Sequence, residues 1–88
     1  MSAPTVTLLY FARLREALGT GREQLVLPPG VATLGALRAH LANRGEAWSR
    51  EMAVGRNLRA AVNQDIAGPD TPVKDGDEVA FFPPVTGG

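Results

Sequence analysis

The stretch Lys74-Asp75-Gly76-Asp77-Glu78-Val79-Ala80-Phe81-Phe82-Pro83-Pro84 reads as a turn, a strand and a stop. Lys74 to Asp77 is a tight turn, because Asp side chains bond to nearby backbone and Gly accepts conformations other residues avoid. Glu78 to Phe82 is rich in β-formers, and side chains on a strand alternate between faces. Pro83 and Pro84 then end the strand, since neither has a backbone N–H for the ladder.

Working outward from this last strand, Thr5 to Phe11 is a second β-rich run. Val6, Leu8 and Tyr10 share one face; Thr7, Leu9 and Phe11 share the other. Ala12 to Leu18 predicts a short helix with Leu14 and Leu18 on one side and Gly19 as its stop. Gly19-Thr20-Gly21 is a turn, and Glu23 to Leu27 a further strand ended by Pro28-Pro29-Gly30. Thr33 caps a main helix that runs to Arg44, with Leu34, Leu37 and Leu41 as its buried stripe and Gly45 just past its end. Glu46 to Met52 adds a short helix with Trp48 and Met52 on one side. Leu58 to Asn63 alternates as another strand, with Leu58, Ala60 and Val62 inward. A short extended piece around Ile66 pairs with it.

The order is strand, strand, helix, strand, strand. This is the α+β order of the ubiquitin-like β-grasp: a mixed sheet of four to five strands, covered on one face by one main helix. Residues 1–82 are expected to form that domain and residues 83–88 a flexible C-terminal tail. If the first and last strands are neighbours, Val79 and Phe81 join Val6 and Leu8 inside. Leu9, Phe11 and Phe82 then meet on the open face, where clustered large apolar residues point to a partner surface.

Composition narrows the chemistry. The 88 residues suit one domain. Nine basic and nine acidic side chains are scattered and cancel, so no basic patch invites nucleic acid. Apolar runs are too short to span a bilayer, and the start of the chain does not resemble a signal peptide, so a cytoplasmic location is expected. With no cysteine and one histidine, His40, thiol nucleophiles, thiolate metal sites and a self-contained catalytic triad are excluded. A reactive group must be unusual or come from a partner.

The last six residues, Pro83-Pro84-Val85-Thr86-Gly87-Gly88, offer one. Two prolines and two β-branched residues favour extension. Gly87 and Gly88 have no side chains to block passage through a narrow channel. Fully extended, six residues reach about 20 Å, enough to enter a partner's active site. The unhindered Gly88 carboxylate can attack the α-phosphorus of ATP, and a sulfur donor can then displace AMP to leave a thiocarboxylate. Two terminal glycines alone are weak evidence, since a frayed terminus is common. The β-grasp order and the stiff spacer upstream give them meaning.

Other features read more plainly. Gly19-Thr20-Gly21 lacks the spacing and Lys-Ser/Thr of a phosphate loop. His40 is a surface helix residue with no second ligand nearby. Asp75, Asp77 and Glu78 are turn chemistry rather than a metal cluster. Trp48 and Met52 are core or its lid. Arg13 and Arg15 are either solvated or paired with acidic groups on a partner.

The stretch Asp75 to Gly88, with Leu9-Tyr10-Phe11-Ala12-Arg13-Leu14-Arg15-Glu16 and Ala60-Ala61-Val62-Asn63-Gln64, resembles the ubiquitin-like sulfur carriers of the MoaD family, the small subunits of molybdopterin synthase. The likeness runs over essentially the whole chain; a slightly long N-terminus and the central helices and loops differ. It implies that an E1-like enzyme adenylates Gly88 with ATP and that a sulfur donor system converts it to the thiocarboxylate. The tail, with Val85, Thr86 and Gly87 giving access, then enters the large synthase subunit. Sulfur passes there to cyclic pyranopterin monophosphate, giving the dithiolene of molybdopterin. The resemblance further implies a heterotetramer of two small and two large subunits, with Phe11 and Phe82 at the interface, where strand alternation adds Leu9. The chain itself is expected to bind no cofactor or metal, to touch neither nucleic acid nor membrane, and to supply no catalytic side chain. The rival readings are a sulfur carrier for thiamine or cysteine synthesis, a ubiquitin-like modifier joined to lysines, and a binding module with an inert tail.

Overall fold

The computed structural model describes residues 3–53 and 57–84. The strands are β1 (Thr5–Tyr10), β2 (Arg22–Val26), β3 (Arg59–Val62), β4 (Asp65–Ile66) and β5 (Glu78–Phe82). The helices are α1 (Arg13–Leu18), α2 (Leu34–Ala42) and α3 (Glu46–Glu51). One five-stranded sheet has the order β2-β1-β5-β3-β4. β1 and β5 are parallel at its centre, and the other pairings are antiparallel. This is the mixed sheet expected, with the first and last strands side by side.

Alternation along the strands builds the core. Val6, Leu8 and Tyr10 of β1, Val79 and Phe81 of β5, and Ala60 and Val62 of β3 face the helices and are buried. Leu34, Leu37 and Leu41 of α2 close over them. Burying each such leucine stabilises the fold by about 1.5–3 kcal/mol. The Thr33 hydroxyl accepts from the Ala36 N–H at 3.2 Å and so starts α2 as expected. Gly19 ends α1 with φ 77°, the left-handed conformation that glycine adopts without a Cβ penalty.

Several boundaries differ from those read in the sequence. α2 stops at Ala42, not Arg44, and Asn43 is its C-cap. Gly45 does not close α2; it opens α3 at the N-cap, and its carbonyl accepts from the Ser49 N–H. Arg44 leaves the helix because its guanidinium turns back to the sheet, where it makes two bonds to Glu23 at 2.9 and 3.0 Å. Asn63 lies outside β3. It and Gln64 have φ of 51° and 73°, the pair of positive values that makes a two-residue hairpin turn from Val62 to Asp65. Leu27 lies beyond β2 but is buried, and its N–H donates to the Pro4 carbonyl at 2.8 Å.

The turn at Lys74–Asp77 is stitched into the fold. The Thr5 N–H donates to Asp75 Oδ1 at 2.8 Å, and the Gly76 N–H donates to the Thr5 carbonyl at 2.9 Å. The Asp77 carboxylate is buried, with 5% exposure. It accepts from Asn63 Nδ2 and from the Lys74 N–H, both at 2.9 Å. The first of these bonds, above all, holds its carboxyl below the usual carboxylate range. Asn63 Oδ1 accepts in turn from the Glu78 N–H at 3.0 Å, so one side-chain pair sets where β5 begins.

Candidate functional site on the open sheet face

Strand register decides what the uncovered face presents. Leu9 of β1 faces Ala80 of β5 and Arg22 of β2, and Ala80 faces Ala61 of β3, which faces Ile66 of β4. One step toward the exit of the chain, Phe82 faces Arg59. The Phe11 N–H donates to the Phe81 carbonyl at 3.2 Å, which sets Phe11 alongside Phe82. The structure therefore brings Leu9, Phe11 and Phe82 together, as the alternation predicts. Phe11 is 49% exposed; Leu9 and Phe82 are half-buried by their neighbours.

The other half of the open face is mostly polar. Thr7 pairs with Gln24 and Glu78 there, and Val26, 55% exposed, pairs with Thr5 at its far end. The cluster of Leu9, Phe11 and Phe82 lies at the end where the chain leaves as Pro83-Pro84. Val85, Thr86, Gly87 and Gly88, expected to form the tail, lie outside the described residues.

Alternation within β3 and β5 places Ala61, Arg59 and Ala80 on this face, although none stands out in the sequence as a site residue. Ile66, 70% exposed, joins through the short β4. Arg22 escapes a reading that starts its strand at Glu23. Ala12, between Phe11 and α1, has φ 55° and ψ −133°, a region a residue with a Cβ rarely occupies. No periodicity signals such a residue; it is visible only in the backbone.

The remaining candidates resolve as follows. Arg13 and Arg15 are exposed, and the Arg15 side chain lies across Gly21, where a Cβ would meet its Nε at 3.0 Å. His40 is half-buried on α2. Met52 is core, and Trp48 packs edge-on to Tyr10 with ring centroids 5.4 Å apart. The Arg44 guanidinium covers Trp48 at 4.3 Å from the ring centroid. The Tyr10 hydroxyl donates to Glu23 Oε2 at 2.8 Å; burial first, then that carboxylate, pushes the phenol above its ordinary pKa. This cluster locks helices to sheet and offers no open reactive group. A cleft of about 660 Å³ on the helix side, between α2 and β3, has neither acid nor histidine in its lining. Among the described residues, no group of three or more His, Asp or Glu could hold a metal, and no helix is long and apolar enough to cross a membrane.

The profile of the ThiS family matches residues 8–88, and so includes both terminal glycines. The chain belongs to the ThiS family. It is 45% identical to the molybdopterin synthase sulfur carrier subunit of Escherichia coli, over 94% of this chain and 99% of that one. The namesake subunit of Haemophilus influenzae is 42% identical over the same shares. Among solved structures, a putative molybdopterin converting factor subunit 1 from Pyrococcus furiosus superposes with a TM-score of 0.76 at 32% identity, covering 96% of this chain and all of the other. SAMP1 from Haloferax volcanii also gives 0.76, at 28% identity, covering 96% and 99%. A complex of subunits 1 and 2 of the molybdopterin-converting factor from Helicobacter pylori gives 0.65 at 26% identity, covering 96% of this chain and 99% of the matched one. These neighbours share the mixed-sheet β-grasp architecture.

Proposed function

We propose that this ThiS-family chain is the sulfur carrier subunit of a molybdopterin synthase, with residues 1–82 as the docking body and 83–88 as the reactive tail. The observation that carries this reading is 45% identity to a sulfur carrier subunit over 94% of the chain, together with a family match that runs to Gly88. The absence of cysteine fits it, because sulfur then has no side chain to ride on.

The chemistry needs only the terminus. A Gly88 carboxylate oxygen attacks the α-phosphorus of ATP inside an E1-like enzyme, and pyrophosphate leaves. Hydrosulfide delivered by the donor system then attacks the acyl carbon, AMP leaves, and the S–H proton is lost to solvent. The resulting thiocarboxylate sulfur is a nucleophile at neutral pH. Within the large synthase subunit it attacks a side-chain carbon of cyclic pyranopterin monophosphate, forming a C–S bond as a C–O bond there breaks. Water then attacks the acyl carbon, the acyl C–S bond breaks, and the Gly88 carboxylate returns. A second loaded chain supplies the second sulfur of the dithiolene. Val85, Thr86 and Gly87 give the tail its reach. Leu9, Phe11 and Phe82 seat the body in a heterotetramer of two small and two large subunits. The chain contributes the sulfur and no catalytic side chain, and ATP is bound by the activating enzyme. The reaction belongs in the cytoplasm.

Intact-protein mass spectrometry after incubation with the activating enzyme, ATP and a sulfur donor tests this. Replacement of one oxygen by sulfur at the terminus is expected. Deletion of Gly88 is expected to abolish loading while the circular dichroism spectrum stays unchanged. Loading of the deleted chain refutes the tail mechanism. The likeness to SAMP1, a small archaeal modifier protein, favours a second reading in which the same activated glycine is joined to lysines. Isopeptide-linked products without a thiocarboxylate would select it.

A further inference from the structure

The apolar half of the open face has a charged frame. Arg22 stands beside Leu9 on one flank, and Arg59 stands beside Phe82 on the other. The two belong to β2 and β3, separated by β1 and β5. At about 4.8 Å per strand spacing, they lie roughly 14 Å apart across the sheet. Both are exposed, and among the described residues no carboxylate pairs with either guanidinium. In contrast, Arg44 is engaged with Glu23 on the covered side, and the Arg15 side chain lies across Gly21 at the start of β2.

The placement is selective. The register positions around the patch hold two cations and no anion; the acid of this face, Glu78, sits in the polar half opposite Thr7. Charges at the rim of an apolar interface contribute to encounter rate and orientation more than to affinity. The tail raises the need for orientation, because it enters its partner only when the body seats at one angle. Two cations about 14 Å apart, further than the screening length of about 8 Å at physiological salt, act as separate contacts and define a direction.

We infer that the protein surface receiving the tail carries carboxylates opposite Arg22 and Arg59, so that the apolar patch docks between two ion pairs. This rests on the proposed function, and the occupant is the large synthase subunit. Arg22 and Arg59 are positioning residues; neither touches the reacting atoms.

The test is stopped-flow association of the full-length chain with the large subunit of the same organism, at low and high salt. The variants are Arg22→Glu, Arg59→Glu, their double, and Arg59→Lys, with Phe82→Ala as the apolar control. All replaced arginines are exposed, and unchanged thermal melting shows that the fold is kept. Each reversal is expected to slow association about tenfold at low salt, an effect that fades at high salt, while Arg59→Lys stays near wild type. Phe82→Ala is expected to speed dissociation with an unchanged salt slope. Wild-type binding combined with an unaffected double reversal overturns the charged frame and leaves the proposed function standing. Failure of the wild type itself to bind the large subunit overturns both.

Discussion

Replacing Asp77 by alanine tests how the central strand is held in place. The Asp77 carboxylate accepts two bonds at 2.9 Å, from Asn63 Nδ2 and the Lys74 N–H, and is 5% exposed. A net contribution of about 1.5–3 kcal/mol is typical of a bond to a charged group. Asn63 and Lys74 are themselves exposed, so water recovers part of each loss. The expected destabilisation is therefore about 2–4 kcal/mol, against a total of about 5–15 kcal/mol for a domain. At about 4–8 °C per kcal/mol for a chain of this size, the melting temperature falls by roughly 8–32 °C. Trp48, the single tryptophan, packs against Tyr10 and reports unfolding by fluorescence in urea.

The pH dependence of the same group has a fixed sign. Asp77 has a folded-state pKa below its unfolded value, chiefly because Asn63 donates to it. Its stabilisation is thus complete above the unfolded carboxylate pKa of about 3.9 and is lost as pH falls through the lower folded value. Asp77→Asn keeps the shape without the charge and is expected to flatten the loss of stability below about pH 4. Equal melting temperatures for wild type and Asp77→Ala at neutral pH would refute the reasoning. So would an acid limb unaltered in Asp77→Asn.

Ala12→Gly is expected to raise stability by about 1 kcal/mol, since a strained positive φ costs about 1–3 kcal/mol and added freedom in the unfolded chain takes back part. A urea midpoint at or below wild type contradicts this. Tyr10→Phe removes the donor to Glu23 but leaves that carboxylate held by Arg44, so the expected loss is about 1 kcal/mol in the same unfolding assay. The loss should grow in an Arg44→Ala background, where Glu23 keeps neither of these partners, and a double-mutant cycle measures the coupling.

The sequence by itself determined the element order, the inward faces of β1 and β5, the Thr33 cap, the Gly19 stop and the Lys74–Asp77 turn. Each is a local matter: strand alternation, a side chain within reach of its own helix, or a backbone angle that suits glycine. The terminus proposed as reactive is also read from sequence alone, because the chemistry proposed for it depends on two glycines and their distance from Phe82. Tertiary structure alone decided the surroundings of the patch. Alternation places Arg59 and Ala61 on a face, yet only the pairing of β3 with β5 sets Arg59 beside Phe82. That pairing depends on how α2 and the whole core pack, not on any local period. The early end of α2 follows from the contact of Arg44 with Glu23, 21 positions away. The Asn63–Asp77 bond and the backbone of Ala12 are of the same kind, since long-range contacts and the closure of the sheet impose them.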